Sequence, residues 1–149
     1  MKKRVMAVAS NGGHLVQLQR LMPAFSGYEL ILVSTSKTPP SDDQVDRYYC
    51  VSDSNFQQKL KLMVTAFQIF ALFVKVRPQV IVSTGAAPGL FAIFYGVLFR
   101  KKAIWIDSIA NADRLSLAGK VASRLTPYCY TQWPHLAKKK GPQYIGAVL

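Results

Sequence analysis

The sequence has few acidic residues and few cysteines. Seven aspartates and glutamates stand against nineteen lysines and arginines, so the formal net charge of the 149 residues is +12. This imbalance predicts an anionic partner, and charge alone leaves phospholipid, nucleic acid and a diphosphate open. Cys50 and Cys129 lack CxxC spacing, which argues against a zinc site or a disulfide framework and is typical of a reducing cytosol. We expect both cysteines to be core residues.

Metal ligands and common nucleotide motifs are also missing. His14 and His135 are the only histidines, neither has ligand spacing, and no Asp-x-Asp pair exists to hold a nucleotide-bound cation. The sequence has no G-x-S-x-G elbow and no Walker A loop, which argues against the commonest hydrolases and kinases. We therefore predict a protein without a metal or a cofactor.

No hydrophobic run is long enough to cross a bilayer, which takes about 20 continuous apolar residues. The uncharged stretch between Arg77 and Arg100 is interrupted by two prolines and three glycines. The apolar run after the basic N-terminus has only the length of a strand before Asn11, which is too short for a signal peptide. We expect neither a transmembrane helix nor a leader.

The chain does contain a regular alternation of short apolar runs and helix-length segments. Several runs are apolar on both faces, as in a parallel sheet covered by helices on two sides. We predict one doubly wound, mainly parallel α/β domain over residues 1–149, with residues 35–47 as an exposed loop. The predicted strands are Arg4–Ala9, Glu29–Ser34, Tyr48–Val51, Val80–Ser83, Ala103–Asp107 and Cys129–Thr131.

A glycine-containing motif follows the first predicted strand and opens a helix. Asn11, Gly12 and Gly13 form this strand-to-helix turn, which would direct free N–H groups and the helix dipole at an anion. The G-x-G-x-x-G spacing is incomplete, and the second strand ends in Ser34 where a ribose-binding acid would stand, so the motif argues little for a dinucleotide. A tight turn without a ligand remains the alternative.

His14 completes this motif at the start of the helix. The position lies at the carboxyl edge of the predicted sheet, where open α/β folds bind ligands. A neutral imidazole, with an ordinary pKa of about 6.5, suits the removal of a proton from an attacking hydroxyl. We predict that His14 is catalytic or contacts a ligand, and a purely structural histidine is the alternative.

A second small-residue motif follows the fourth predicted strand. Ser83, Thr84 and Gly85 lead through alanines and a proline to Gly89, just before the next helix. Such a segment either cradles an anion or stays small so that helix and sheet pack closely. The sequence leaves both possibilities open.

Two predicted helices, Leu60–Lys75 and Leu90–Phe99, are apolar around much of their circumference and have basic flanks. An apolar body with cationic ends suits a membrane interface, whereas buried covering helices are the alternative. Aromatic residues are more numerous than one small core requires. The candidate membrane contacts are Lys75, Arg77, Phe94, Arg100, Lys101 and Lys102.

The segments ASNGGHLVQL, VIVSTGAAPG and WIDSIANADRLSLAGK, in this order, carry a resemblance along essentially the whole chain. The sequence resembles the acceptor-side, membrane-associated subunits of two-component oligosaccharide glycosyltransferases. The eukaryotic member of that family anchors the enzyme that adds the second N-acetylglucosamine to the dolichol-diphosphate intermediate. Its bacterial members serve capsule and exopolysaccharide assembly.

The resemblance implies the Rossmann-like N-terminal half of a GT-B glycosyltransferase, with the donor-binding half on a second subunit in a hetero-oligomer. Residues 144–149 then correspond to the point where a single-chain relative crosses into its donor domain. The implied reaction is metal-independent, inverting transfer from a UDP-sugar to a polyprenyl-diphosphate-linked saccharide. The implied location is the cytoplasmic face of an anionic membrane, with peripheral attachment because the eukaryotic membrane helix is missing.

The family motifs match three groups of residues, of which the third is Asp107 and Ser108 after the fifth strand. The resemblance implies that this pair lines the same sheet edge as His14. The eukaryotic pattern has an arginine near the position of Asn111, so an arginine role passes to Arg114 or is lost. The other matched positions are Gly12, Gly13 and His14 in the first motif and Ser83, Thr84 and Gly85 in the second.

Two other functions compete with this prediction. A non-catalytic membrane anchor would recruit and activate a partner that carries all the chemistry, and it would tolerate replacement of His14. A nucleic-acid-binding domain would interleave exposed aromatic residues with the basic ones, whereas most aromatic residues here lie in apolar runs. We therefore expect no nucleic-acid partner.

Overall fold

The protein, described by a computed structural model over residues 1–148, contains a six-stranded sheet in the order β3-β2-β1-β4-β5-β6. Every neighbouring pair of strands is parallel, which confirms the predicted fold class. Leu149, which belongs to the predicted domain, lies outside the described residues. The strands are β1 (Arg4–Ala9), β2 (Glu29–Ser34), β3 (Arg47–Cys50), β4 (Val80–Gly85), β5 (Lys102–Ile106) and β6 (Cys129–Tyr130).

Four α-helices cover the two faces of the sheet unequally. The core residues of α1 pack on one face, and those of α2, α3 and α4 pack on the other. Alternate residues of β1 point to opposite faces, Met6 to the three-helix side and Val5 to the α1 side, so the strand is apolar throughout. The helices are α1 (Gly13–Leu21), α2 (Lys59–Val76), α3 (Ala86–Leu98) and α4 (Leu117–Leu125), with 3-10 turns at Met22–Phe25 and Pro134–Leu136.

The unequal cover leaves a cavity of about 410 Å³ on the α1 side of the sheet. Its walls include Ile104 and Ile106 of β5, and residues 145–148 line its other side. Strand order reverses between β1 and β4, so the crevice at their carboxyl ends is the usual ligand position in such folds.

The predicted end of the fourth strand at Ser83 and the predicted start of the next helix at Leu90 are wrong, because β4 continues to Gly85 and α3 begins at Ala86. The chain changes direction within these two residues, whose φ angles are 152° and 69°. Pro88 lies in the first helical turn, where a backbone N–H has no partner inside the helix, so it does not break α3. The glycines and alanines of this segment therefore begin a helix.

The prediction that both cysteines are core residues holds for Cys129 and is wrong for Cys50. Cys129 is buried, whereas Cys50 is exposed at the end of β3. The reason is that β3 is an edge strand, which the sequence pattern does not reveal. Residues 35–46 form no helix or strand, as predicted, and β3 begins one residue early at Arg47, which pairs with Glu29 of β2 at 2.6 Å.

Candidate functional site

The turn between β1 and α1 lies at the carboxyl edge of the sheet, beside the end of β4. Gly12 has a φ of 94°, a conformation that glycine adopts without strain, and Gly13 begins α1. Two N–H groups of the turn are already bonded: Asn11 donates to Thr35 Oγ1 at 2.8 Å, and Gly12 donates to the Asn11 side chain at 2.9 Å. Gly13 and His14, as the first residues of α1, have no carbonyl partner within the helix. These two N–H groups, with that of Leu15, lack a partner within the helix, and those of Gly13 and His14 lie nearest the turn.

The imidazole of His14 is held by the end of β4. Its Nδ1 atom lies 3.1 Å from the carbonyl oxygen of Thr84, and the Thr84 hydroxyl donates to the carbonyl oxygen of His14 at 2.6 Å. Because a carbonyl only accepts hydrogen bonds, Nδ1 carries a proton, and in the neutral ring Nε2 then has the lone pair. None of residues 1–148 forms a hydrogen bond to Nε2. The half-buried ring thus has the tautomer that a proton acceptor needs.

Gly85 makes room for this ring. A Cβ atom at Gly85 would lie 2.2 Å from His14 Nδ1, far inside van der Waals contact. Its N–H donates to Ser83 Oγ at 3.2 Å, and a Cβ atom at Gly89 would lie 1.8 Å from that same oxygen. Ser83, Thr84 and Gly85 are all buried. Their small size lets α1 and α3 approach the strand end, and their predicted contact with a substrate stays a prediction.

Asp107 follows β5 at the same edge and is only 2% exposed. Its Oδ1 atom accepts from Trp105 Nε1 at 3.0 Å and from the Ser116 hydroxyl at 2.6 Å. Its Oδ2 atom accepts from Asn111 Nδ2 at 3.1 Å and from the Ser116 N–H at 3.0 Å. Four donors fill the usual capacity of a carboxylate. Asp107 therefore organises residues 108–116 and the start of α4, and its predicted contact with a substrate stays a prediction.

Ser108 belongs to a buried amide network that sequence reasoning missed. Its hydroxyl accepts from Gln17 Nε2 at 3.0 Å, and Gln17 Oε1 accepts from Gln132 Nε2 at 2.6 Å. Gln132 Oε1 in turn accepts from the Val148 N–H at 2.7 Å. The network joins α1, the end of β5 and the C-terminal segment. The one sequence indication of this network was Gln17, a polar residue next to the apolar positions Leu18 and Leu21 of α1.

Residues 133–135 hold the loop after β5 from its other side. Trp133 Nε1 donates to the carbonyl oxygen of Ile109 at 2.7 Å, and His135 Nε2 lies 2.6 Å from that of Ala112. Asn111, at the place of the family arginine, bonds to Asp107 and not to the open edge. Arg114 is exposed on this loop. The loop is thus fixed by contacts within the protein.

The predicted basic membrane contacts lie mainly at the opposite edge of the sheet. Lys75 and Arg77 come just before β4, and residues 100–102 come just before or at the start of β5, far along the strands from His14. Lys75 Nζ lies 5.1 Å from the ring centroid of Tyr49, and Lys102 Nζ lies 4.9 Å from that of Tyr128. Phe94, the remaining predicted contact, is exposed on α3.

Helix α2 has an outward apolar face as well as a buried one. Ile69 and Phe73 pack in the core, whereas Leu60 is 80% and Phe67 is 71% exposed, and the apolar exposure continues to Val74. Helix α2 therefore covers the sheet with one face, as one interpretation predicted, and its contact with a membrane through the other face stays a prediction. No helix among the described residues is long and apolar enough to cross a membrane. Residues 1–148 also contain no group of three side chains able to hold a metal ion.

Comparison with known families shows which family this chain belongs to. The family described as "Oligosaccharide biosynthesis protein Alg14 like" matches residues 33–148. The chain belongs to the Alg14 family. Similar members include the "UDP-N-acetylglucosamine transferase subunit ALG14" of Mus musculus, 26% identical over 98% of this chain and 83% of the relative. The Yarrowia lipolytica protein of that name is 28% identical over 91% of this chain and 76% of the relative. This confirms the resemblance recognised in the sequence.

Solved structures show the same fold for this Alg14-family chain. It superposes on Acinetobacter baumannii MurG with a TM-score of 0.75 and 13% identity, over 95% of this chain. It superposes on a UDP-N-acetylglucosamine 2-epimerase from Rickettsia bellii with a TM-score of 0.73 and 12% identity, over 99% of this chain. In each case the chain spans 45% of the length of the other protein. At these identities the likeness establishes the fold alone.

Proposed function

We propose that this protein is the acceptor-binding, membrane-associated subunit of a split GT-B glycosyltransferase. A second subunit supplies the domain that binds the UDP-sugar, and transfer to a polyprenyl-diphosphate-linked saccharide takes place between the two. The observation that carries the proposal is the His14 imidazole, oriented by Thr84 at the open sheet edge of an Alg14-family chain. The names of the relatives favour UDP-N-acetylglucosamine as the donor. The product enters lipid-linked oligosaccharide synthesis, with capsule or exopolysaccharide assembly as the bacterial setting.

In the proposed reaction, His14 Nε2 accepts the proton of the attacking acceptor hydroxyl. The hydroxyl oxygen forms a bond to the anomeric carbon as the bond between that carbon and the diphosphate oxygen breaks, and UDP leaves with the electron pair. Attack from the opposite face inverts the anomeric centre. The bond from Nδ1–H to the Thr84 carbonyl stabilises the imidazolium that forms. The step needs no metal ion.

The acceptor is held, in this proposal, by the turn before α1. The free N–H groups of Gly13 and His14 and the positive end of the helix dipole favour a phosphate or a sugar hydroxyl there. Asn11 is exposed beside them and completes the predicted contact surface. Buried residues behind this surface support it, and they are Ser83, Thr84, Gly85, Asp107 and Ser108.

The three-helix side supports attachment to a membrane. The exposed apolar face of α2 runs from Leu60 to Val74, and lysines or arginines flank it at both ends. A helix of this kind lies in the plane of the interface with its apolar face buried among lipids. The net charge of +12 suits the anionic cytoplasmic leaflet. We therefore place the protein peripherally on the cytoplasmic face.

One observation favours a second function, a non-catalytic anchor that activates a catalytic partner. The polar groups of Asp107 and Thr84 are bonded within the protein, so they are not free to act on a substrate. His14 is then the main side chain at this edge with a free reactive atom, which is little for a subunit that carries the chemistry. If the partner carried all the catalytic residues, replacement of His14 would leave the transfer reaction intact. The two functions therefore differ in the effect of one substitution.

The proposal is tested by measuring which substrate the isolated protein binds. We expect it to bind a polyprenyl-diphosphate-linked saccharide in detergent micelles and to leave UDP-N-acetylglucosamine unbound, because the donor domain belongs to the partner. Equilibrium binding with each labelled substrate measures this directly. If the protein bound the UDP-sugar and did not bind the acceptor, its assignment as the acceptor-side subunit would be contradicted.

A further inference from the structure

A cleft of about 340 Å³ lies between α4 and the turn at residues 138–142, and we call it the cationic cleft. Lys120 and Arg124 line it from α4, and Lys138 and Lys140 line it from the turn. The backbone fixes this turn: the Lys138 N–H donates to the Pro142 carbonyl at 2.9 Å. The Gln143 N–H donates to the Cys129 carbonyl of β6, also at 2.9 Å. Four cations are thereby held around one concave surface.

Among residues 1–148, no acidic side chain forms an ion pair with these four cations. Five of the seven acidic residues lie between positions 29 and 53, and only Asp107 and Asp113 follow. Asp107 is buried, and its oxygens are bonded elsewhere. Within the described part of the chain, the single ion pair joins Arg47 to Glu29. Cations gathered without a counter-charge favour an anionic ligand, and phosphate oxygens match both lysine and arginine.

A neighbouring side of α4 is apolar. A groove of about 430 Å³ between α3 and α4 is lined only by large apolar and aromatic residues, including Phe94 and Val121. The outer stripe of α4 consists of Leu117, Lys120, Val121 and Arg124, all exposed and at spacings that share one helix face. One helix thus separates a hydrocarbon surface from a cationic one. A helix with its side chains is about 10 Å across, which one lipid molecule spans.

We propose that the cationic cleft binds the phosphate or diphosphate of a lipid whose hydrocarbon chain lies in the α3–α4 groove. The proposal rests on the membrane-associated function above and assigns that function a specific lipid site. We assign the phosphate to an anionic phospholipid, because the function proposed above holds the acceptor at the turn before α1, and binding of a polyprenyl diphosphate in the cleft is the alternative outcome of the test. Long basic side chains can place their charge at a headgroup while their stems cover apolar surface, and Lys120 and Arg124 share the exposed face of α4 with Leu117.

The test compares two double variants that remove equal charge. Lys120→Gln with Arg124→Gln removes two of the four positive charges of the cleft. Lys2→Gln with Lys3→Gln removes two positive charges from exposed lysines before β1. Binding is measured by co-sedimentation with phosphatidylcholine vesicles that contain either phosphatidylglycerol or a polyprenyl diphosphate, at equal surface charge. Inorganic pyrophosphate serves as a soluble competitor. All four side chains are exposed, so both variants are expected to keep the melting temperature of the wild type.

We expect the cleft variant to bind these vesicles roughly 30-fold more weakly. The loss of one basic residue near an anionic surface weakens binding about five- to sixfold, and this variant loses two. The remote variant should lose less than about threefold because charges beyond a Debye length are screened. Pyrophosphate should displace the wild type more than the cleft variant. A wild-type preference for polyprenyl diphosphate that the cleft variant lacks would contradict the phospholipid assignment and identify the acceptor as the ligand, whereas equal binding to the two kinds of vesicle would support phospholipid headgroups.

Equal losses in the two double variants would overturn the proposal, because net charge would then explain the binding. A second variant tests the groove: Val121→Ser should weaken vesicle binding without changing the effect of pyrophosphate, and unchanged vesicle binding would contradict the hydrocarbon part. These measurements need neither a partner nor turnover. Failure of the lipid site is therefore distinguishable from failure of the proposed transferase function.

Discussion

His14 and Thr84 hold each other through two hydrogen bonds, from His14 Nδ1 to the Thr84 carbonyl at 3.1 Å and from the Thr84 hydroxyl to the His14 carbonyl at 2.6 Å. These bonds join the start of α1 to the end of β4, the two elements on either side of the point where strand order reverses. The geometry orients the ring and leaves Nε2 without a hydrogen-bond partner among residues 1–148. The proposed base is thus oriented by backbone atoms of the fold itself.

His14→Ala in the assembled enzyme should lower the catalytic rate by roughly 10²–10⁴-fold, the usual contribution of a positioned general base. Partner binding and the melting temperature serve as controls, because a structural histidine would show its loss there. Turnover above about a third of the wild-type rate, in a variant that assembles normally, would favour the anchor function over catalysis.

Gly85→Ala should destabilise the protein and displace the His14 ring, because the new Cβ atom would lie 2.2 Å from Nδ1 and the φ of 152° suits only glycine. Gly13→Ala is the matched control, since a Cβ atom there meets nothing within 4 Å. Thermal unfolding of both variants measures the difference. An equal melting temperature for the two would show that the close approach of Gly85 to His14 is not important for stability.

Asp107→Asn should reduce the free energy of unfolding by roughly 2–4 kcal/mol, because an amide NH₂ group would face donors that a carboxylate accepts. For a chain of this length the melting temperature should fall by about 5–15 °C. Asp113→Asn removes the same charge from an exposed position and should have little effect. Similar melting temperatures for these two variants would contradict the organising role of Asp107.

The two thiols should differ in reactivity. Burial, and then the nearby charge of Asp107, raise the pKa of Cys129 to about 12, whereas Cys50 is exposed. A thiol reagent at mildly alkaline pH should modify one cysteine in the folded protein and two after denaturation, and Cys50→Ser should abolish the first reaction. Rapid modification of Cys129 in the folded state would contradict its burial.

The same pKa shift affects stability at alkaline pH. The folded protein keeps the Cys129 proton at pH values where the unfolded chain releases it, so this group lowers stability as the pH rises above the ordinary thiol pKa towards 12. Denaturant unfolding at increasing pH measures the effect, with Cys129→Ala as the comparison. A Cys129→Ala variant with the same pH dependence as the wild type would exclude this contribution.

Parts of the fold that depend on local pattern were predictable from the sequence. The bounds of β1 and β2 agree with the prediction at both ends because apolar residues fill each strand and polar residues end it. The start of α3 was not predictable, since the unusual φ values of Gly85 and Ala86 depend on packing against α1. The exposure of Cys50 depends on strand order, which no local pattern contains.

The candidate site was predictable in position and only partly in its contacts. The glycines before His14 indicated the correct strand-to-helix turn, because this motif is defined by consecutive residues. The links from Gln17 to Ser108 and Gln132 join residues 91 and 115 positions apart, and long-range hydrogen bonds of this kind have no sequence pattern. Asp107 was identified as important, but its four internal donors became visible only in the folded chain.

We propose that this chain supplies one half of a two-part transferase. The most direct measurement is transfer from UDP-N-acetylglucosamine to a polyprenyl-diphosphate-linked saccharide by this protein alone, by a purified donor-binding partner alone and by the two together. Such a partner is sought among the small α/β proteins encoded next to this one. The account predicts transfer only by the mixture, because each half lacks contacts to one substrate. Sustained transfer by this protein alone would contradict it.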